Sequence, residues 1–386
     1  MKNKKVALIG NMNNNFFVLQ RYLLDNKIDC DLFILPYEPN HFLPINDTWD
    51  EQIFKKHYFL KWGNVELFTS TTKQDILNTF KEYTNFIACG TSMAYLNKAK
   101  IRVDLFIPYG SDLYELPFKI PRRPNRLIKR WIFNYHQKKG IKNAKYCSIA
   151  DVSELLLDKL KRIKFSGKLL DSGVPMVYSS AMDVNNKSKH YKEFLRIRNS
   201  FDLVIFHQSR HVWKTDNDLV AVKSNDKLIR AISKFKQKNN NISIALITTE
   251  YGVDVIHSKK LIKDSGIDEN VFWFPTMARK ELMVGISLSD LVAGEFNNSW
   301  FTYGVVFEAM AMGKPIIHHR NDSIYKNFIL YPMIEAFSEN DIYKKLTYYS
   351  LHKDELNKIG SEAKDWYTNY FVEKSIREIL NIIEKC

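Results

Sequence analysis

Short apolar runs alternate with stretches of helical periodicity along most of the chain, and the alternation runs twice. In the first half KVALIG (5–10), DLFILPY (31–37), NFIACG (85–90), VDLFIPYG (103–110) and YCSIA (146–150) read as buried strands. Residues 16–26 and VSELLLDKLKRI (152–163) carry apolar positions three and four apart and read as helices. The polar stretch SSAMDVNNKSKHYKEF (179–194) interrupts the pattern. It restarts with strands FDLVIFH (201–207), ISIALIT (242–248), VFWFP (271–275), DLVAGEF (290–296) and KPIIHH (314–319), and with a helix NDKLIRAISKFKQK (225–238). YFVEKSIREILNIIEK closes the chain as an amphipathic helix.

Strands alternating with helices of this length indicate βαβ units and parallel sheets. At 386 residues the chain is long for one hydrophobic core. The expected architecture is α/β, with two Rossmann-like doubly wound parallel-sheet domains and a deep interdomain cleft. Residues 1–180 make the N-terminal domain, 181–200 the linker and 201–365 the C-terminal domain. Residues 366–386 are expected as a helix crossing back to the N-terminal domain.

Composition narrows the function classes. No apolar stretch reaches about 18 residues, so no transmembrane helix is expected. The apolar run in MKNKKVALIG is too short for a signal peptide and reads as the first strand of a cytoplasmic protein. Cys30, Cys89, Cys147 and Cys386 are scattered without metal-ligand spacing and are expected to be reduced. The net charge of +14 leaves nucleic acid, an anionic membrane or a phosphorylated small molecule as partners.

The strongest local chemistry lies in EFNNSWFTYGVVFEAMAMGKPII (295–317). Gly304 ends a loop and a helix starts there. Gly313 suits the left-handed position beyond that helix, and Pro315 blocks its continuation. The backbone amides of Gly304, Val305 and Val306, with the helix dipole, suit a diphosphate. Glu308, one turn in, can accept hydrogen bonds from both vicinal hydroxyls of a ribose. On helix chemistry alone, an ordinary crossover helix stands equally open.

This segment resembles the donor-binding signature of family 4 glycosyltransferases: a glutamate, seven residues, then Glu-Ala-Met-Ala, a Gly and a Pro. Glu308, Ala309, Met310, Ala311, Gly313 and Pro315 match its second half. The resemblance implies a GT-B fold, a nucleotide-diphosphate sugar of the UDP or GDP type as donor, no further cofactor, and Glu308 on the ribose. The first half departs from the family. Trp300 stands where the sugar-holding glutamate belongs, and Phe301-Thr302-Tyr303-Gly304 replaces Gly-Phe-Gly. Glu295 is the candidate substitute in a longer loop. HQSRHVW (207–213) and KSNDKLIRA (223–231) stand where the family carries Gly-Arg ahead of Lys-Gly. The resemblance therefore puts Arg210 and Lys223 on the donor diphosphate, where two cations stabilise the charge of a leaving group. Two solvated surface cations are the alternative. Thr249, Pro275 and Met277 follow strands on the ligand-binding edge of an open sheet and are expected near the nucleoside; loop residues without a ligand role are the equal alternative.

In the first half, PYGSDLYELPF (108–118) stands where the family often has His-Gly-x-Asp. Tyr109 replaces the His, while Gly110 and Asp112 remain. Asp112 is expected at the cleft edge, as a base in an inverting enzyme or an orienting group in a retaining one. A helix cap or turn residue is the alternative. Gly10 and Asn11, after the first strand, are expected to face the cleft. No acidic residue occurs from 116 to 150. That stretch holds Arg122, Arg123, Arg126, Lys129 and Arg130 among Trp131, Phe133 and Tyr135. A basic face with interfacial aromatics suits an anionic membrane surface. The resemblance implies lipid-linked acceptors for it; a polyanionic acceptor or a solvated helix are the alternatives.

These readings combine into a metal-independent, retaining, hexosyl-type glycosyltransferase of bacterial surface glycan synthesis, such as lipopolysaccharide. Its acceptor is a saccharide or a lipid-linked glycan, and its place is the cytoplasm or the inner face of the plasma membrane. A GT-B epimerase or an inactive GT-B scaffold is the runner-up. A basic nucleic-acid-binding protein is the reading from another class, and it lacks any helix-turn-helix, zinc or RNP pattern. The Asp-x-Asp matches at 29–31 and 216–218 lead into a strand and lie in a polar loop, so no essential metal is expected.

Overall fold

The computed structural model describes residues 4–120, 127–149, 154–170, 172–179, 187–215 and 221–385. The chain forms two compact units, Met1–Tyr178 with Phe371–Cys386, and Ser179–Tyr370.

The first unit is built on seven strands: β1 (Lys5–Ile9), β2 (Asp29–Ile34), β3 (His57–Phe59), β4 (Asn85–Ala88), β5 (Leu105–Phe106), β6 (Tyr146–Ser148) and β7 (Lys168–Leu170). Their order is β3-β2-β1-β4-β5-β6-β7, and every pairing is parallel. A parallel strand covered on both faces must be apolar throughout. Central β1 meets that demand, with Val6, Ala7, Leu8 and Ile9 fully buried. Strand order reverses between β1 and β4, which places a crevice at their carboxyl ends. Gly10 follows β1 there with φ of 99°, and a Cβ on it would come within 2.4 Å of Cys89 Sγ. Only glycine suits that approach.

The second unit has β8 (Leu203–His207), β9 (Ile244–Thr249), β10 (Val271–Phe274), β11 (Leu291–Ala293), β12 (Ile316–His318) and β13 (Ile334–Glu335). The order is β10-β9-β8-β11-β12-β13, again all parallel. Its reversal lies between β8 and β11. The helix Asn225–Lys238 covers one face with Leu228, Ile229, Ile232 and Phe235, all fully buried and spaced on one side.

Two departures from the hydrophobic reading have simple causes. Part of the stretch taken as a linker, 181–200, is the helix Tyr191–Ser200 in the second unit. Phe194 and Ile197 are fully buried, and the Phe194 ring lies 4.6 Å from that of Phe274. Polar flanks masked that short stripe. Strands β3, β7 and β13 were missed because they are sheet edges of two or three residues, and β3 and β7 are largely exposed. Edge strands need no unbroken apolar run.

After a π-helical turn, Trp366–Val372, the final helix Glu373–Lys385 packs into the first unit. It buries Ile376, Ile379, Ile382 and Ile383, and Lys4 Nζ donates to the carbonyl of Ile383 at 2.8 Å. Among the described residues no helix is long and apolar enough to cross a membrane.

Candidate functional site

In the second unit, the carboxyl ends of β8 and β11 meet at the reversal of strand order, where open α/β sheets bind ligands. His207 closes β8. Its Nδ1 lies 2.9 Å from the Ala293 carbonyl at the end of β11. A carbonyl only accepts, so Nδ1 carries the proton and Nε2 accepts from the Asn225 amide at 2.8 Å. Burial pushes the imidazole down to about 4, so it stays neutral. Asn225 also accepts from the Val212 backbone amide at 2.9 Å and donates to the Arg210 carbonyl at 3.2 Å. One buried amide thus pins the loop that carries Gln208 and Arg210. Asp254 pins the next three residues, accepting from the amides of Trp213 and Lys214 at 2.7 Å and from that of Thr215 at 3.1 Å. Burial opposes ionisation of Asp254, but the Thr215 hydroxyl and these amides outweigh it and hold the carboxyl down to about 2.

Asn225→Ala would orphan the Val212 amide, His207 Nε2 and the Arg210 carbonyl together. Each buried unsatisfied group costs about 1–3 kcal/mol. The expected loss is about 3 kcal/mol or more, read as a lower urea midpoint with an unchanged slope.

Glu308 lies in the helix Gly304–Ala311, which follows the loop after β11, and only 7% of its surface is exposed. Arg279 Nε meets its Oε1 at 3.1 Å, and Gln208 Nε2 donates to its Oε2 at 3.0 Å. A carboxylate has about four acceptor positions. These two bonds orient Glu308 and leave acceptor capacity on both oxygens.

Lys223 and Glu295 form a second buried pair, Nζ to Oε1 at 2.8 Å. The loop 295–296 is also tied by backbone, since the Phe296 amide donates to the Lys223 carbonyl at 3.1 Å. The Tyr303 hydroxyl accepts from the Glu295 amide at 2.9 Å. Burial raises the Glu295 carboxyl above its ordinary range, while Lys223 and then Arg210 pull it back toward ionisation. Its Oε2 is buried without a hydrogen-bond partner among the described residues. Arg210, Lys223 and Glu295 are therefore neighbours, with Trp300 beside the same carboxylate.

The helix start differs from expectation at one atom. The Val306 amide is already turned onto the Tyr303 carbonyl at 3.0 Å, because the first turn tightens. An anion there would rely on Gly304 and Val305. Thr249 ends β9 and Met277 follows β10; both are buried, whereas Pro275 is exposed. None of the three enters the hydrogen-bond networks of Glu308 or Glu295. Gln208, Asn225, Asp254 and Arg279 were not singled out from sequence. Asn225 at a helix start was a usable signal, but Arg279 reads like any surface cation.

In the first unit, Asp112 is fully buried. It accepts from the amides of Gly90 at 2.9 Å and of Tyr109 and Gly110 at 3.1 Å. Burial outweighs those donors and pushes its carboxyl up to about 7. Asn11 is equally buried and fully used. Its amide nitrogen donates to Asn14 Oδ1 and the Phe42 carbonyl, and its oxygen accepts from the Phe17 amide. Both residues hold the crevice loops in place. Glu38 accepts from the Asn11 backbone amide at 2.5 Å, and burial pushes its carboxyl up to about 8.

Arg122, Arg123 and Arg126 lie outside the described residues. Lys129 and Trp131 sit exposed on the helix Leu127–Asn143. Arg130 departs from the expected patch. Its guanidinium donates to the Leu116 carbonyl at 2.9 Å and lies over the Phe133 ring, because that end of the helix packs on the 116–118 segment. The Asp-x-Asp match at 216–218 is outside the described residues. In the other, Asp29 pairs with Lys56 at 2.7 Å, and Asp31 pairs with Lys5 at 2.9 Å. Among the described residues no three His, Cys, Asp or Glu side chains gather as a metal-binding group.

No protein-family model and no curated protein matches this sequence. Solved structures match it in fold. The Anabaena protein HepE, in complex with UDP-glucose, aligns at TM-score 0.62 and 12% identity over 99% of this chain and 100% of that one. Sucrose-phosphate synthase from Thermosynechococcus elongatus aligns at 0.60 and 12% identity, over 99% and 98%. A putative UDP-N-acetylglucosamine 2-epimerase from Listeria monocytogenes aligns at 0.54 and 12% identity, over 98% and 95%. The fold is GT-B. At these identities the likeness is one of fold alone. Within a GT-B chain, the pairs Arg279–Glu308 and Lys223–Glu295 are features of this sequence's own side chains.

Proposed function

We propose that this chain is a glycosyltransferase that takes its sugar from a UDP-sugar. The buried Glu308, oriented by Arg279 and Gln208 at the β8/β11 crevice with acceptor capacity to spare, carries the proposal. Its carboxylate receives the ribose hydroxyls. Arg210, Lys223 and the amides of Gly304 and Val305 hold the diphosphate. Thr249, Pro275 and Met277 border the base. Glu295 offers Oε2, which has no hydrogen-bond partner among the described residues, to a hydroxyl of the donor sugar, in place of the glutamate absent at Trp300. UDP is preferred over GDP because the nucleotide in the HepE complexes is UDP.

In this reading the cations stabilise the departing diphosphate while an acceptor hydroxyl attacks the anomeric carbon and gives its proton to the leaving phosphate oxygen, with retention. Asp112, with Gly10 and Asn11, shapes the acceptor domain. Its carboxylate is spoken for by three amides, which supports a positioning role over that of a base. The exposed Ile128, Trp131 and Tyr135 beside Lys129 support contact with an anionic membrane and a lipid-linked acceptor of surface glycan synthesis. The GT-B fold is shared with a putative epimerase, which supports that alternative. A transferase releases UDP when acceptor is added, whereas an epimerase converts the sugar nucleotide without one.

The direct test is a thermal-shift series with UDP, GDP, ADP, CMP and dTDP. UDP at about 100 times its Kd should stabilise the protein by about 2.7 kcal/mol, a rise of several degrees in Tm. GDP should do markedly less. No shift with any nucleotide refutes the donor assignment.

A further inference from the structure

The first unit contains a cationic cavity that the proposed reaction does not use. Its volume is about 630 Å³, and it lies between the ends of the helices Ser92–Ala99 and Leu127–Asn143. Arg102 precedes β5 and Ser166 precedes β7, so the cavity opens at the amino-terminal edge of the sheet. That is the edge opposite Gly90 and Asp112.

Its lining holds Lys98, Lys100, Arg102 and Lys139, with His136, and no carboxylate among the described residues. The ordinary explanation is dipole compensation, because two helices end here. Each helix end carries roughly half a negative charge, about −1 in all. Lys98 is engaged elsewhere: Asp75 offsets its charge, and its Nζ donates to the carbonyls of Phe68 at 2.7 Å and Thr71 at 2.6 Å. Lys100, Arg102 and Lys139 remain. Among the described residues, Arg102 spends only its Nε, on the Asn143 carbonyl at 2.9 Å, and Lys139 donates only to the Tyr135 hydroxyl, at 3.3 Å. Three cations against about one negative charge leave an excess of about +2 around an open cavity. Asn97 fixes His136 through Nδ1 at 2.8 Å. Gly140, in the cavity lining, permits the two helices to approach closely, since a Cβ there would meet the Met93 carbonyl at 2.2 Å.

We propose that this cavity binds a phosphate group of about two negative charges, as a diphosphate, a phosphomonoester or a phosphorylated lipid headgroup. The charge excess matches a dianion, and the guanidinium of Arg102 suits its oxygens. Tyr135 lines the cavity and also belongs to the exposed stripe with Trp131, so a lipid tail would have apolar surface beside the headgroup.

His136 is the local reporter. Burial, then Lys98 and Lys139, lower its ordinary pKa; the rings of Phe68 and Tyr135 and the Asn97 amide are close neighbours too. Its imidazole resonance, assigned by its loss in His136→Gln, is titrated in the full chain under saturating UDP. The added probes are inorganic pyrophosphate, glycerol phosphate, and vesicles of phosphatidic acid or phosphatidylcholine. A bound phosphate should raise the His136 pKa by about one unit. Lys100→Ala/Lys139→Ala should weaken the effect about tenfold or more, and Lys100→Arg/Lys139→Arg should keep it. A shift with soluble anions identifies a free phosphate ligand. A shift with phosphatidic acid vesicles alone identifies a headgroup. No shift with any anion, or an equal shift in the double alanine variant, overturns the proposal.

Discussion

Glu308→Ala should weaken UDP binding by about a hundredfold or more. A hydrogen bond to a charged group contributes about 1.5–3 kcal/mol. Two ribose hydroxyls on one carboxylate therefore amount to about 3–6 kcal/mol, or two to four decades of affinity. The same substitution strips Arg279 of its buried partner, and Gln208 of the oxygen its amide holds. Removing one member of a buried ion pair destabilises by about 3–5 kcal/mol, so loss of fold must be separated from loss of contact. Calorimetric titration well below the melting temperature achieves that. Two companion variants sharpen it. Glu308→Gln keeps the shape and loses the charge, and should lie between alanine and wild type. Arg279→Met leaves the carboxylate in place, held by Gln208 alone, and should cost less affinity than Glu308→Ala. Folded Glu308→Ala that binds UDP like the wild type would sink the ribose assignment.

The hydrophobic pattern made the fold legible wherever burial was two-sided. Strands β1, β8 and β9 are runs of buried residues with nothing else to specify, and the sequence shows them as such. It was silent at β3, β7 and β13, where an edge position removes the demand for an apolar run. The site was legible in part for a related reason. Glu308, Gly304 and Gly313 sit in a segment whose helix start and stop are written locally. The partners of Glu308 come from elsewhere. Arg279 follows β10 and Gln208 follows β8, and only the strand order brings them to one carboxylate. Arg210 and Lys223 were visible in order along the chain, but the pairing of Lys223 with Glu295 was not. Asp112 shows the limit from the other side. Its sequence context suits a cleft residue, while its three backbone donors lie on two loops that the sequence does not place together.

Lys223→Met should damage stability and turnover by separable routes. The substitution leaves Glu295 buried with its Oε1 unpaired, a loss of about 3–5 kcal/mol near neutral pH. Burial already raises the Glu295 carboxyl, and removing Lys223 removes the first influence that lowers it again. An acid whose pKa is raised in the folded state stabilises that state most when protonated. The variant should therefore regain stability as pH falls and lose it as pH rises through the folded pKa of Glu295. Urea midpoints between about pH 5 and about pH 8 read that slope, which should be steeper than in the wild type. Turnover has a different dependence. If Lys223 holds the diphosphate, its loss costs about a hundredfold or more in kcat, as for other fixed groups aimed at developing charge. The double variant Lys223→Met/Glu295→Met divides the two effects. Removing both members of a buried pair in favour of apolar side chains of similar volume is often neutral for stability. The double variant should then fold nearly as well as wild type and still transfer poorly, because no charge returns to the leaving group. Restored stability with restored turnover would mean that the pair only packs the β8/β11 crevice, and that the diphosphate is held by Arg210 and the helix start without it.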